Sequence, residues 1–532
     1  MKNLKIYLAI ISLTFLINAC DSDIIDLTER DRLPTDIAVA SLQGLETSML
    51  AVYERARSLH ENNEISLYKQ CGTDIVTSGT NMVDVNAGGM FGMMEYGNGF
   101  DALSGSLEDI FNGLYLSLDR CNTVIAFGDN FQPNNSSEQE RKDKIIGEAY
   151  ALRSFLYLQL AERWENAVIT ELAESVDDIV FTAELSSRAE LLQQIVADAS
   201  AAIPLLKTRL ENGDVGVPSV EFANLVLAKA YLWQEDWGAA ATAAEQVMNN
   251  GLQLQPLDAI FGLDGGKTGE ENNPEIIFSW VFNQADQNRP QRTVQMYVPL
   301  YDRVPGVART LEQGGRPWSR LSPSKYYWTL FENEDGRLGA WHKSEWTIDD
   351  PDNIDTSLSG GSTLKAGDVL TVDHPYFQDW ASNEREARYL EPTTTKTWED
   401  GTYGRLASEA QGFRNIIVNR LSEAYIIAAE AYFRSNNTGA ALNALNALRE
   451  RAYGNSTGNF TTINLENIIE EHARELGHEG HRWSFLNRLG ILRERVRLHN
   501  PSASTNIQDK HVRWPIPQNF VDQLGVQQNS GW

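Results

Sequence analysis

Glu471, His472, Glu475, His478, Glu479 and His481 crowd one short stretch near the C-terminus. Imidazole and carboxylate donors at this density raise the question of a zinc or general-base site. The spacing argues against one. No His-Glu-x-x-His runs through the stretch, and Gly477 and Gly480 disturb any single helix face that would converge the donors. No metal is expected here, and Glu475 with Arg482 is expected to form a scaffold ion pair or cap. Asp349-Asp350-Pro351-Asp352-Asn353-Ile354-Asp355 carries oxygen ligands of the kind calcium takes, without the glycine and terminal glutamate of an EF-hand loop. It reads as a solvated acidic loop. Carboxylates are too plentiful to single out a pair for glycoside hydrolysis. The chain has no phosphate loop, no Gly-x-Ser-x-Gly elbow and no Cys/His nucleophile pattern. No catalytic residue and no cofactor is expected.

The positive chemistry is stacking. A sugar ring has apolar C–H faces and a hydroxyl rim; flat indole or phenol rings take the face, and Asp, Asn, Gln or Arg take the rim. Such a site needs aromatics on loops with polar neighbours. Trp318, between Gly314-Gly315-Arg316 and Ser319-Arg320, is the best setting, and Tyr96 with Asn98, beside Gly97 and Gly99, is the second. Asp74 in Cys71-Gly72-Thr73-Asp74 is a rim candidate. Trp280 with Asn283 and Gln284 follows a strand and is expected to line the same surface, with Tyr301 and Arg309 as further candidates. Packing inside a loop is the competing reading for each aromatic.

Those loops need a scaffold. Leu42, Leu45, Met49 and Val52 recur at helical spacing; so do Leu107, Phe111, Leu114, Leu118, Cys121 and Ile125, and again Ala149, Leu152, Leu156 and Leu160. Such stripes mark amphipathic helices on a common core. A helix–turn–helix pattern over 222–249, with Ala228, Tyr231, Ala240 and Ala244, recurs over 421–451 with Ala429, Tyr432, Ala441 and Leu445. It resembles tetratricopeptide repeats, in which small residues let paired helices approach closely. Between the copies the rhythm breaks. The interval 251–414 holds Gly-Gly pairs, acidic runs, one clear strand at 276–282, and seven of the chain's thirteen tryptophans. A loop-rich interval on a helical platform is where a binding surface is expected. The Gly-, Asn- and Met-rich stretch 72–100 is similar.

The N-terminus sets the location. Met1-Lys2-Asn3-Leu4-Lys5 is a positive n-region, and the apolar run from Ile6 to Ile17 is shorter than the ~20 residues of a spanning helix. Ala19-Cys20 followed by Asp21-Ser22-Asp23 looks like a bacterial lipobox with an acidic tether behind it. The formal charge of −28 argues against nucleic acid and against an anionic lipid surface as partners. It also disfavours polyuronates and sulfated glycans unless local charge reverses it, and Arg309, Arg316 and Arg320 are the candidates for such a basic patch. Cys121 lies in an apolar helical pattern and reads as a buried thiol, with no disulfide to Cys71.

Several segments carry a more specific likeness. Gly147-Glu148-Ala149 through Leu152-Arg153 to Tyr157, Arg420-Leu421-Ser422-Glu423 through Ala429-Glu430-Ala431, Arg474-Glu475-Leu476 through Glu479-Gly480-His481-Arg482-Trp483, and Pro515-Ile516-Pro517 with Gln528-Asn529-Ser530-Gly531-Trp532 resemble, in order, the signature blocks of the SusD/RagB family. Ser154, Ser530 and Trp532 depart from its usual residues. The resemblance implies a mostly α fold, a tetratricopeptide-like helical-hairpin scaffold with a loop-rich insertion containing short strands. It implies an outer-membrane lipoprotein of Bacteroidetes-type bacteria, facing the cell exterior, that binds poly- or oligosaccharide as a lid on a SusC-like, TonB-dependent transporter. Residues 1–19 are then the signal peptide and 20–30 the lipidated cysteine and tether. Residues 31–532 form one domain, with scaffold at 31–250 and 411–532 and the ligand-binding insertion at 251–410. A peptide-binding lipoprotein of the same fold, and a surface glycosidase, are the alternative functions.

Overall fold

The computed structural model describes residues 41–532 apart from 62–67, 71, 84–89, 172–182, 262–272, 284 and 286–288. The leader, Cys20, Cys71 and Gln284 therefore lie outside the described residues. The helices that matter here, in chain order, are α1 (Leu42–Ser58), α2 (Gly105–Asn130), α3 (Ser136–Arg163), α4 (Arg188–Ala202), α5 (Val220–Trp233), α6 (Trp237–Met248), α7 (Leu421–Arg434), α8 (Thr438–Tyr453), α9 (Leu465–Leu476) and α10 (Arg482–Arg488). The strands that matter here are β1 (Val76–Ser78), β2 (Ile276–Trp280), β3 (Leu321–Pro323) and β4 (Ile416–Arg420). The chain is mostly α, as the periodicity predicts. The three apolar stripes form the buried faces of α1, α2 and α3.

The helices from α1 to α8 pack each on the next, and α6 packs directly on α7 although 172 residues separate them in sequence. The two hairpins are thus neighbours in space. Their turns repeat bond for bond. Glu235 and Asn436 both take a left-handed φ, of 58° and 62°. Asp236 N donates to Tyr231 O at 3.0 Å, and Asn437 N to Tyr432 O at 2.8 Å. The Asp236 and Asn437 side chains then cap α6 and α8 by accepting from Ala239 N and Ala440 N. Ala228, Ala240, Ala244, Ala429 and Ala441 are fully buried, so the close approach that small residues permit is used in both copies. The Tyr432 hydroxyl bonds Glu245, joining one hairpin to the other.

The insertion is stapled at its ends. β2 pairs antiparallel with β4, from Ile276 opposite Arg420 to Trp280 opposite Ile416. It also has a small core of its own, built on Tyr301, Trp346, Ile348, Tyr376, Phe377 and Trp398. Much of the tryptophan enrichment serves packing: Trp280, Trp341, Trp346 and Trp398 are all buried.

The Glu/His stretch that opens α9's C-terminal region is occupied by cations. Glu475 accepts from Arg337 (3.0 Å) and Arg420 (2.6 Å) and also pairs with Arg451. Glu471 meets Arg337, Arg474 and Arg449 at 2.7, 2.8 and 3.1 Å. Glu479 meets Lys396 and Arg420 at 2.6 and 2.7 Å. Arg337 comes from the insertion, Arg420 from the end of β4 and Arg451 from α8, so this network ties the insertion to the scaffold. The expected Glu475–Arg482 pair is corrected. Arg482 instead forms a bidentate pair with Asp74, at 2.9 and 2.7 Å.

Burial sets the acid response. It drives the His60, His472 and His478 imidazoles well below their ordinary value, and burial with Lys396 drives His342 to about 3. Burial pushes Glu471 up, but Arg337, Arg474 and Arg449 outweigh it and hold the carboxyl at about 2. Below about 6.5 the unfolded chain takes up histidine protons that the folded chain refuses, so stability is lost as pH falls. Glu471 adds to the loss once pH passes below its unfolded value and on down to about 2. Glu148, raised to about 7 by burial, acts in the opposite sense but is outnumbered. The urea midpoint is expected to be clearly lower at pH 5 than at pH 7.5. An unchanged or higher midpoint at pH 5 contradicts the buried neutral histidines.

Candidate functional site

β1 pairs antiparallel with β3, Val76 opposite Pro323 and Ser78 opposite Leu321. This pairing joins the two loop-rich stretches singled out in the sequence. Beyond it the contacts continue: Gly79 N donates to Arg320 O (2.9 Å) and Asn81 N to Ser319 O (3.0 Å). Thr80 N donates to Ser319 Oγ (3.0 Å), and Asn81 Nδ2 to Trp318 O (2.8 Å). On the other side Ser319 N donates to Val298 O at 2.9 Å. Ser319 takes a left-handed φ of 48°, a conformation held by bonds on both flanks.

The preceding turn is fixed from beneath. Gly314 and Gly315 have φ of 114° and 69°. A side chain on Gly314 would meet Trp398 and Val298 at 2.9 Å, so only glycine fits. The Tyr301 hydroxyl donates to Gly315 O at 2.7 Å, and burial raises its pKa so that it stays protonated. The Arg320 guanidinium lies 4.6 Å from the Trp318 ring centroid and so holds the indole from one face. Trp318 thereby lines a cleft of about 410 Å³ with Asn81, Asp302, Arg303, Arg309 and Arg316. Asp302 and Arg309 also line an adjoining depression of about 590 Å³ that runs on to Asp350, Asn353 and Ser408. A flat apolar ring flanked by amide, carboxylate and guanidinium groups can stack on a sugar face and bond its rim.

Gly79 is the closest backbone approach in this assembly. A Cβ there would lie 2.2 Å from Ser319 O. Gly79→Ala is expected to push β1 and the Trp318 turn apart at a cost of about 1–3 kcal/mol, with weakened ligand binding. Unaltered stability, read from urea unfolding, contradicts this tight approach.

The candidates from sequence divide sharply. Trp318, Arg320 and Arg309 are brought together, Arg320 behind the indole and Arg309 paired with Asp302 at 2.7 Å. Four others are corrected to the interior. Asp74 is fully buried against Arg482 and Arg495. Tyr96 is buried, with its hydroxyl donating to Gly72 O (2.5 Å) and accepting from Trp483 Nε1 (3.1 Å), and its ring stacked on His511. Trp280 packs edge-on against Phe278 in β2, and Tyr301 sits in the insertion core. Asn98 and Asn283 are exposed but do not line the cleft. Asn81, Asp302 and Arg303 were not among the candidates. The available signal was the arginine density: Arg303, Arg309, Arg316 and Arg320 fall within eighteen residues of an acidic chain.

Comparison with known proteins agrees with this architecture. Residues 274–532 match the model of the SusD family, and residues 58–232 match a second model described as starch-binding, associating with the outer membrane. A SusD-like protein, P25, of Formosa agariphila is 23% identical over 96% of this chain and 95% of its own length. Among solved structures, a SusD homolog from Bacteroides thetaiotaomicron superposes with a TM-score of 0.76 at 18% identity, covering 95% of this chain and 100% of that one. A laminarin-binding SusD-like protein superposes with a TM-score of 0.70 at 19% identity, covering 92% and 99%. The two models lie side by side along most of the chain, the fold matches nearly end to end, and the chain belongs to the SusD/RagB family.

Proposed function

We propose that this protein captures glycan chains at the outer surface of the outer membrane and hands them to a SusC-like, TonB-dependent transporter. Lipid on Cys20 would hold it there; no helix among the described residues is long and apolar enough to cross a membrane. The observation that carries the reading is the Trp318 cleft, an indole fixed from behind by Arg320 with hydrogen-bonding groups along its rim. The family's starch-binding description and the laminarin-binding neighbour support glycan as the ligand class. No covalent step is involved. Preorganised contacts select a chain shape, and transport belongs to the partner.

Native electrophoresis through gels containing single polysaccharides tests the capture step. Retardation by at least one glycan without release of oligosaccharide is the expected result. Release of oligosaccharides contradicts a pure binding role, and free migration through every glycan of a broad panel contradicts capture. Co-purification with the barrel transporter tests the hand-over, and its absence from detergent-solubilised outer membranes argues against that partner.

A further inference from the structure

The whole chain is strongly acidic, yet its candidate cleft is basic. Among the described residues Asp302 is the one acid lining it, facing Arg303, Arg309 and Arg316. Arg309 answers Asp302, with Nε at 2.7 Å and Nη2 at 2.5 Å. Arg303 and Arg316 are both exposed and make no ion pair among the described residues. Among the described residues Arg303 reaches only the Tyr389 hydroxyl, at 3.5 Å, and that ring. Arg385 adds to the same edge by donating to Asn81 Oδ1 at 3.3 Å. A chain with 73 acidic and 45 basic side chains has ample acid to neutralise these guanidinium groups, and at this cleft the described residues supply one. Two unanswered forks beside a stacking ring match a planar or tetrahedral oxyanion carried on a sugar, because guanidinium donates in parallel pairs to carboxylate and sulfate oxygens.

We propose that the Trp318 cleft selects glycans bearing anionic groups, uronate carboxylate or sulfate ester, with the anion seated between Arg303 and Arg316 and the ring that carries it on the indole. This rests on the reading of the cleft as a glycan site. It also gives the groove a polarity. The adjoining depression, with Asp350, Asn353 and Ser408, has among the described residues only Arg309, already paired with Asp302, and takes neutral sugar units of the same chain.

The test uses the full chain purified in detergent and two matched pairs: polygalacturonate against its carboxyl-reduced form, and dextran sulfate against dextran. Affinity electrophoresis is run with wild type, Arg316→Ala and Asp302→Asn. The expected result is retardation by an anionic member well beyond its neutral partner. Arg316→Ala should weaken it on the order of tenfold and Asp302→Asn should strengthen it, with steep weakening as salt is raised. The two pairs distinguish carboxylate from sulfate as the source of the charge. Equal or stronger binding of the neutral partners overturns the proposal while leaving glycan capture intact. Anionic binding unchanged by Arg316→Ala overturns it too, and failure of every glycan, the neutral ones included, removes the capture reading along with it. Arg316 is exposed and makes no ion pair, so its alanine variant folds, and coincident thermal melts with wild type check that.

Discussion

Glu475→Ala is expected to lower the stability of the protein by about 3–5 kcal/mol, the usual cost of leaving buried charges without their partner. Glu475 is fully buried and is shared by Arg337, Arg420 and Arg451. Removing it takes one carboxylate from three buried guanidinium groups in three parts of the chain, leaving Arg420 and Arg451 to share Glu275 and Arg337 to rely on Asp335 and Glu471. The effect should exceed that of truncating an apolar residue of similar size on α9, because desolvated cations cannot relax into water. Urea unfolding followed by far-UV circular dichroism measures it. Glu475→Gln, which keeps the shape and loses the charge, should fall between the two. A loss below about 1 kcal/mol in Glu475→Ala, the range of exposed pairs, would mean that the network is wet and the insertion is tied down by other contacts.

Trp318→Ala should weaken glycan binding by about 2 kcal/mol or more, roughly thirtyfold, as expected when a central aromatic anchor is truncated. The indole is only partly buried, and its main structural role is to lie under Arg320, so the fold should survive its loss. Trp318→Phe keeps a flat ring and should retain much of the affinity. Titration calorimetry with the polysaccharide that retards the wild type gives the numbers. Equal affinity in Trp318→Ala would keep the family function and move the site away from this cleft.

The helical scaffold was legible because its signal is local. Stripes at helical spacing on α1, α2 and α3 are buried as drawn, and the alanine–tyrosine pattern marks two hairpins with the same turn geometry. Their stacking across the insertion was not legible, since nothing local says that α6 meets α7. The candidate site was legible at Trp318, Arg309 and Arg320, since the Gly-Gly-Arg and Ser-Arg flanks of Trp318 signal an irregular, polar turn. Tyr96 has similar neighbours yet points inward to Trp483 and His511. Composition shows that a segment is loop-like, not which side of the loop is wet. Asp74 looked like a rim group because its partner, Arg482, is 408 residues away. Asn81 reaches the cleft only through the pairing of β1 with β3, a contact across the chain that one segment cannot announce. The tryptophan enrichment, read as a binding surface, mostly builds cores under the loops.

The most direct test of the Trp318 cleft as the glycan site is a crystal structure with an oligosaccharide cut from a polysaccharide that retards the protein. The expected result is a sugar ring against the Trp318 indole, with its polar rim within hydrogen-bond distance of Asn81 or the cleft arginines. A sugar seated elsewhere, with the Trp318 cleft open, would contradict it.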